Sequence, residues 1–300
     1  MIEPIGVEQK SIMTSLGRMV YYTPTNKPWR DNDQENQEKL PSMVFLHGFG
    51  GGSSAYEWSK VYPALSCDRR VLAPDLIGWG RSEHPERNYQ PDDYIKTIIE
   101  FLEATCTEAV PVIASSLTAA LTIRAAIQRP ELFKCLILTT PTGLSDFGQD
   151  YTKSFFVQVV TTPFLDKILY SAAIATAGGI MNFLQTRQFA RPERIYPEIV
   201  DAYLASAKQP NGEYAALSFV RGDLCFDLSK YITQLTTPTA IIWGRKSAFT
   251  GPEIGKRLAA LNPNYIKVFQ ELEDVGLTPQ LELPGVTIGL IRKFLQLLEA

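Results

Sequence analysis

Val112-Ile113-Ala114-Ser115-Ser116-Leu117-Thr118-Ala119-Ala120 joins an apolar run rich in β-formers, Val110 to Ala114, to a helix-forming run, Leu117 to Gln128, with almost no loop between them. Small residues stand two positions before and two after the central serine, Ala114 and Thr118, as packing a strand end onto a helix start demands. Such a joint leaves Ser116 on a strained, exposed corner at the helix N-terminus, among backbone N–H groups that favour negative charge. That is the physics of a nucleophile elbow. The bland alternative is a helix capped by Ser115 or Ser116.

Working outward, Met43 to Leu46 reads as a buried strand, and Val71 to Asp75, Cys135 to Leu138, Thr239 to Gly244 and Tyr265 to Phe269 as further strands. Helical spacing falls at Asp92 to Ala104, with Pro91 suited to the first turn, at Pro252 to Leu261, and at Val286 to Leu298. Strands alternating with helices predict an α/β fold with a mostly parallel sheet and right-handed crossovers. Residues 8–23 read as a hairpin around Leu16-Gly17, and 24–41 as a polar surface insertion. The alternation stops between Leu144 and Asp227, which predicts a helical cap, residues 144–227, set between core segments 1–143 and 228–300. No charge occurs between Lys167 and Arg187, a run as long as a membrane span. Polar residues and the pair Gly178-Gly179 favour an apolar helix pair over a pocket, with shallow membrane-surface contact as an intermediate option.

The chain has 300 residues, 45% hydrophobic and 20% charged, with net charge −3 and no long basic run, so nucleic acid is not an expected partner. Four dispersed cysteines without a C-x-x-C pair and only two histidines indicate neither a disulfide scaffold nor a zinc site, and no cofactor is expected. Met1-Ile2-Glu3-Pro4 lacks a basic-then-apolar leader, and a reducing, cytoplasmic setting is the simple expectation.

With these pieces in place the chain resembles the α/β-hydrolase superfamily along nearly its whole length. Leu46-His47-Gly48-Phe49-Gly50-Gly51 is similar to the family's H-G-x-G loop, and Asp75-Leu76-Ile77-Gly78-Trp79-Gly80-Arg81-Ser82 to its D-x-x-G-x-G-x-S turn. The resemblance implies oxyanion-hole donors at the backbone N–H groups of Phe49 and Leu117. It also implies a triad, and here the chain departs from it. The acid's G-x-x-D reads Gly244-Arg245-Lys246-Ser247, and leucine, Leu277, stands where the histidine is expected; Gly276, Pro279, Glu282 and Pro284 fix that register. His47, expected to brace the neighbouring turns with Asp75, His84 on the rim, and Asp146 are the weak substitutes for base or acid.

Loss of the histidine from a serine hydrolase costs on the order of 10⁶ in turnover. The leading expectation is therefore a pseudo-hydrolase that binds an apolar, lipid-like ligand or a protein partner, with the cap from Phe155 to Leu184 as apolar wall. The alternative is a serine hydrolase acting on a carboxylic ester or thioester through a non-standard base. Haloalkane and epoxide chemistry is disfavoured, because those relatives carry aspartate where Ser116 stands. A narrower resemblance, from His47 to Lys60 and Asp75 to His84, is to hydrolase-like proteins of cyanobacteria and plastids, which implies the stroma or thylakoid surface as a setting.

Overall fold

The computed structural model describes residues 4–30, 40–149 and 170–299. Eight strands form one sheet: β1 (Val7–Thr14), β2 (Gly17–Pro24), β3 (Ser42–Leu46), β4 (Arg70–Pro74), β5 (Val110–Ser115), β6 (Phe133–Thr139), β7 (Thr239–Gly244) and β8 (Ile266–Leu272), in spatial order β1-β2-β4-β3-β5-β6-β7-β8. The β1–β2 hairpin pairs antiparallel, β2 runs antiparallel to β4, and every later pairing is parallel. The described helices are α1 (Pro91–Thr105), α2 (Ser116–Gln128), α3 (Ala177–Phe183), α4 (Pro197–Ala207), α5 (Gly212–Arg221), α6 (Pro252–Ala260), α7 (Pro279–Glu282) and α8 (Pro284–Leu298).

Strands β3 to β7 read as largely apolar runs because both faces of the sheet are covered there. Alternate residues of β5 go to opposite layers. Val112 and Ala114 pack with α1 and α2 through residues such as Ile98, Phe101 and Leu121, whereas Ile113 packs with Trp58, Tyr62 and, from α8, Ile291 and Phe294. Each such side chain, fully buried, contributes about 1.5–3 kcal/mol. Helix α1 starts where Pro91 fixes the first turn, and Asp93 accepts the Gln90 N–H at 2.8 Å to close the end.

The chain passes from β3 outward to β4 and then returns to lay β5 on the other side of β3. At such a switch point the loops leaving two adjacent strands diverge and open a crevice at their C-terminal ends. The loops in question are His47 to Ser54 after β3 and the Ser115-Ser116 joint after β5. The sheet's topology thus puts the glycine loop and the elbow side by side.

Between β6 and β7 the described residues add no strand to the sheet. Leu144 and Phe226 form an isolated bridge, and Phe226 N–H donates to Gly143 O at 2.8 Å, so the chain leaves and returns at one place. Residues 150–169 of the expected cap, and 31–39 of the expected polar insertion, lie outside the described residues. The charge-free run is broken: a wide turn at Tyr170–Ile174 precedes α3, and a second, Leu184–Gln188, follows it. Gly179 is what permits the first break, since a Cβ there would meet Ala173 O at 1.7 Å. Among the described residues no helix is long and apolar enough to cross a membrane.

Gly244 ends β7 against the backbone of the Val275-Gly276 loop. A Cβ on it would lie 1.9 Å from Gly276 O and 2.5 Å from Val275 O, and Lys246 N–H donates to Val275 O at 2.9 Å. The two loops that carry Ser247 and Leu277 are therefore held against one another. Gly244→Ala should force them apart and lower stability by about 2–3 kcal/mol, read as a fall in the urea midpoint at unchanged m-value.

Candidate active site

Ser116 opens α2 with φ +58° and is 5% exposed, while Ser115 before it is in extended conformation. A non-glycine residue in the left-handed region is held there by its surroundings, at a cost of order 1–3 kcal/mol. The capping alternative is not what the local geometry shows: Ser115 takes the N-cap position but makes no side-chain cap bond. A Cβ on Gly48 would lie 3.3 Å from Ser116 Cβ, so the glycine loop presses directly on the elbow. Leu117 is in the first turn of α2, whose N–H groups have no intrahelical acceptor. The Phe49 N–H likewise has no acceptor among the described residues. Both groups proposed as oxyanion donors are thus uncommitted.

The glycines of the loop serve a purpose that spacing did not reveal. What approaches them closely is the segment between β6 and β7. A Cβ on Gly50 would meet Phe183 at 2.9 Å, one on Gly51 would meet Ile174 at 3.0 Å, and one on Gly52, at φ +108°, would meet Tyr203 O at 2.1 Å. Above the loop runs a row of aromatic rings. Phe49 stacks on Phe219 at 6.2 Å, Phe219 meets Phe249 edge-on at 6.3 Å, and Phe249 contacts Phe183 at 6.4 Å. The other edge of Phe49 packs against Tyr94 at 4.7 Å and Trp79 at 5.3 Å. Phe155 and the rest of the expected wall up to residue 169 lie outside the described residues.

The two positions that the resemblance singles out for acid and histidine both fall among the described residues. Ser247 follows β7, its hydroxyl buried without a partner among the described residues. Leu277 is 2% exposed and donates its N–H to Gln188 O at 2.8 Å. The Ser116 hydroxyl has no hydrogen-bond partner among the described residues.

The three substitute groups are engaged elsewhere. His47 is fully buried, with Nδ1 2.7 Å from Gly48 O and Nε2 accepting the Leu76 N–H at 3.0 Å, so both ring nitrogens are used. Its bracing partner is the Leu76 backbone and not Asp75, and burial pulls its pKa down to about 4. Asp75 instead accepts from Ala55 N–H (2.7 Å), Arg81 N–H (2.8 Å) and Tyr22 OH (3.1 Å), and burial raises its pKa to about 6. His84 is half-buried, its Nε2 3.1 Å from Gly80 O, and burial lowers its pKa. Asp146 accepts from Thr142 Oγ1 at 2.7 Å, Gly143 N–H at 3.1 Å and Leu228 N–H at 2.9 Å. It stitches the chain's departure from the core to its return, and is no free triad acid.

One acid that sequence reasoning passed over lies in the site. Glu57, on the short turn Ala55–Trp58, is 1% exposed. Its Oε2 accepts the Gly48 N–H at 2.9 Å, and its Oε1 accepts the Tyr203 hydroxyl at 3.0 Å. Tyr203 in turn accepts from Gln188 Nε2 at 2.5 Å, and Gln188 is the residue that holds the Leu277 N–H. Burial raises the Glu57 pKa above the ordinary carboxylate range. The available signal was a lone charge inside Ser53-Ser54-Ala55-Tyr56-Glu57-Trp58, a stretch otherwise suited to burial.

Asp146→Ala should strand three buried donors and lower stability by about 2–4 kcal/mol, by thermal or urea denaturation. Reactivity at Ser116, measured where the variant is fully folded, should not change.

Comparison with known proteins agrees with this geometry. The sequence profile described as alpha/beta hydrolase fold matches residues 41–276. The uncharacterized hydrolase YugF of Bacillus subtilis (strain 168) is 27% identical over 255 residues, 83% of this chain and 85% of its own. A 2-hydroxymuconate semialdehyde hydrolase of Pseudomonas sp. (strain CF600) is 32% identical over 118 residues, which span 39% of this chain and only 41% of that enzyme. Among solved structures, a putative lipase from Acinetobacter baumannii AYE superposes with TM-score 0.74 at 20% identity, covering 98% of this chain and 92% of that one. The haloalkane dehalogenase DbeA from Bradyrhizobium elkani USDA94 gives 0.75 at 18%, covering 98% and 99%. With the profile spanning most of the chain, and with the elbow, glycine loop and sheet order in place, the protein belongs to the alpha/beta hydrolase fold family.

Proposed function

We propose that the protein is a slow serine hydrolase for an apolar carboxylic ester or thioester, with Ser116 as nucleophile and no histidine in the reaction. The observation that carries this reading is the strained elbow. Ser116 is kept at φ +58° against Gly48, beside the two uncommitted N–H donors of Phe49 and Leu117. Strain of this kind persists only where the surrounding structure enforces it. Donors fixed where an oxyanion would develop need no reorganisation in the transition state. The row Phe49, Phe219, Phe249 and Phe183, with Leu277 in place of an imidazole, supplies apolar walls, which favour an acyl or prenyl-like group over a small polar one.

Without the histidine the rate is low. Oxyanion stabilisation and binding alone leave about 10³–10⁴ over the reaction in water. A second reading is supported by Leu277 itself: a pseudo-hydrolase that holds an apolar ligand over Ser116 without cleaving it. The two readings differ in one property, the reactivity of a single hydroxyl.

A fluorophosphonate probe read by intact mass separates them. Wild-type protein should label slowly to one equivalent. Ser116→Ala should not label, with stability changed by less than about 0.5 kcal/mol, since alanine tolerates the corner no worse than serine. An unlabelled, folded wild type retaining an apolar ligand in native mass spectrometry would favour the second reading. Because the Ser247 and Leu277 loops are tied together through Lys246 and Val275, Ser247→Asp with Leu277→His should raise the labelling rate by on the order of 10²-fold.

A further inference from the structure

The hydrolase reading leaves one question, namely what takes the serine's proton. We propose that Glu57 is the proton acceptor for Ser116, held for that task by Tyr203 and the Gly48 N–H. The inference rests on the reading of Ser116 as a nucleophile.

Placement is the first argument. Glu57 Oε2 and Ser116 Cβ both crowd Gly48, 3.4 and 3.3 Å from the point where a Cβ on that glycine would sit, with Ser115 Oγ 3.6 Å from it. A carboxylate at that remove lies within reach of the serine hydroxyl through one water, the span over which general bases operate. Any side chain at position 48 would press on both Glu57 and Ser116.

The second argument is support. A chain of contacts runs through the carboxyl to the elbow. Leu277 N–H binds Gln188 O, Gln188 Nε2 binds Tyr203, Tyr203 binds Glu57, Glu57 binds the Gly48 N–H, and Gly48 packs on Ser116. Opposite, α7 packs on the Ala55–Trp58 turn, and its Gln280 donates to Ser115 Oγ at 3.2 Å. The site is fixed from the glycine loop, from α4 and from α7 together, which is how a reactive group is held to productive geometry.

The third argument is electrostatic. The groups facing Glu57 are the Gly48 N–H and the hydroxyls of Ser53 and Tyr203. Tyr203 and neighbouring Tyr56 are kept neutral by burial, which raises both phenols, and His47 beside Gly48 is neutral too. From α7, Glu282 turns to Gly276 N–H, Ala190 N–H and Arg194. No cation pairs with Glu57 among the described residues. Its carboxylate is therefore more basic than an exposed one, the direction that favours a general base.

The step balances without a co-reactant. As Ser116 Oγ bonds to the ester carbon, its proton passes to the Glu57 carboxylate and the carbonyl electron pair moves to the oxygen facing Phe49 and Leu117. When the tetrahedral adduct collapses, the bond to the leaving oxygen or sulfur breaks, and the Glu57 proton goes to that atom. Water then repeats the sequence on the acyl-serine, releasing the acid and restoring Ser116.

The test is the pH dependence of fluorophosphonate labelling at Ser116. In the wild type the rate should rise as Glu57 ionises, with its midpoint above the exposed-glutamate value of about 4.3. Glu57→Gln should lower the rate by about 10²-fold or more and flatten the profile. Glu57→Asp should restore part of it. Tyr203→Phe removes a donor to the carboxylate and should move the midpoint to higher pH, which a merely structural role would not do. Wild type that never labels overturns the hydrolase reading and this inference with it. Wild type that labels, with a Glu57→Gln variant of equal rate and profile, overturns only the role of Glu57. Should Glu57→Gln not fold, an unmoved midpoint in Tyr203→Phe overturns the inference by itself.

Discussion

Everything in the site depends on how closely the end of β5 meets the start of α2. With no loop between them the chain must turn through one residue, and Ser116 takes the left-handed conformation to do so. That conformation starts α2 beside the β3 loop, which leaves the neighbouring strand and packs on Ser116 through Gly48. The switch in strand order at β3 brings the two loops together, and Gly48 lets them touch. Elbow, donors and glycine loop are consequences of one strand pairing and one short connection.

The segment between β6 and β7 closes on this arrangement through glycines. At Gly50, Gly51 and Gly52 the loop accepts Phe183, Ile174 and the backbone of Tyr203. This contact carries polar as well as apolar partners, because Tyr203 brings its hydroxyl to a buried carboxyl while its own main chain lies on Gly52. A second attachment is made at the surface, where Glu198 of α4 meets both Lys60 and the Tyr56 hydroxyl. Helix α4 is thereby fixed to the β3 loop at both depths, and the site's polar and apolar sides are assembled by the same docking.

The fold was legible because burial on both faces writes strands as apolar runs, and because β7 and the elbow have sharp ends. The spacing of Gly276 and Glu282 has a local counterpart, since the Gly276 N–H donates to Glu282 Oε1 at 2.6 Å. Glu57 was not legible, because what makes it special comes from far along the chain. Its partner Tyr203 is 146 residues away, and the lone charge among burial-suited neighbours hints at burial without saying what it would pair with. Asp146 misled for the same reason. Its position after β6 suits a triad acid, but the Leu228 N–H that claims it arrives from 82 residues downstream.

On the reading that Leu277 stands at the family's histidine position, leucine there bears on more than one residue. A histidine at 277 would bring a titratable, water-seeking ring to the crevice; leucine there is 2% exposed and leaves only its backbone N–H, which Gln188 takes up. The same Gln188 then orients Tyr203 toward Glu57. Desolvation weakens an imidazole base, because it disfavours the charged imidazolium, but it strengthens a carboxylate base, because it disfavours the charged carboxylate. The directions seen here follow that rule: burial lowers His47 and raises Glu57. Burial thus works in favour of the role proposed for Glu57 and against His47 in the same role.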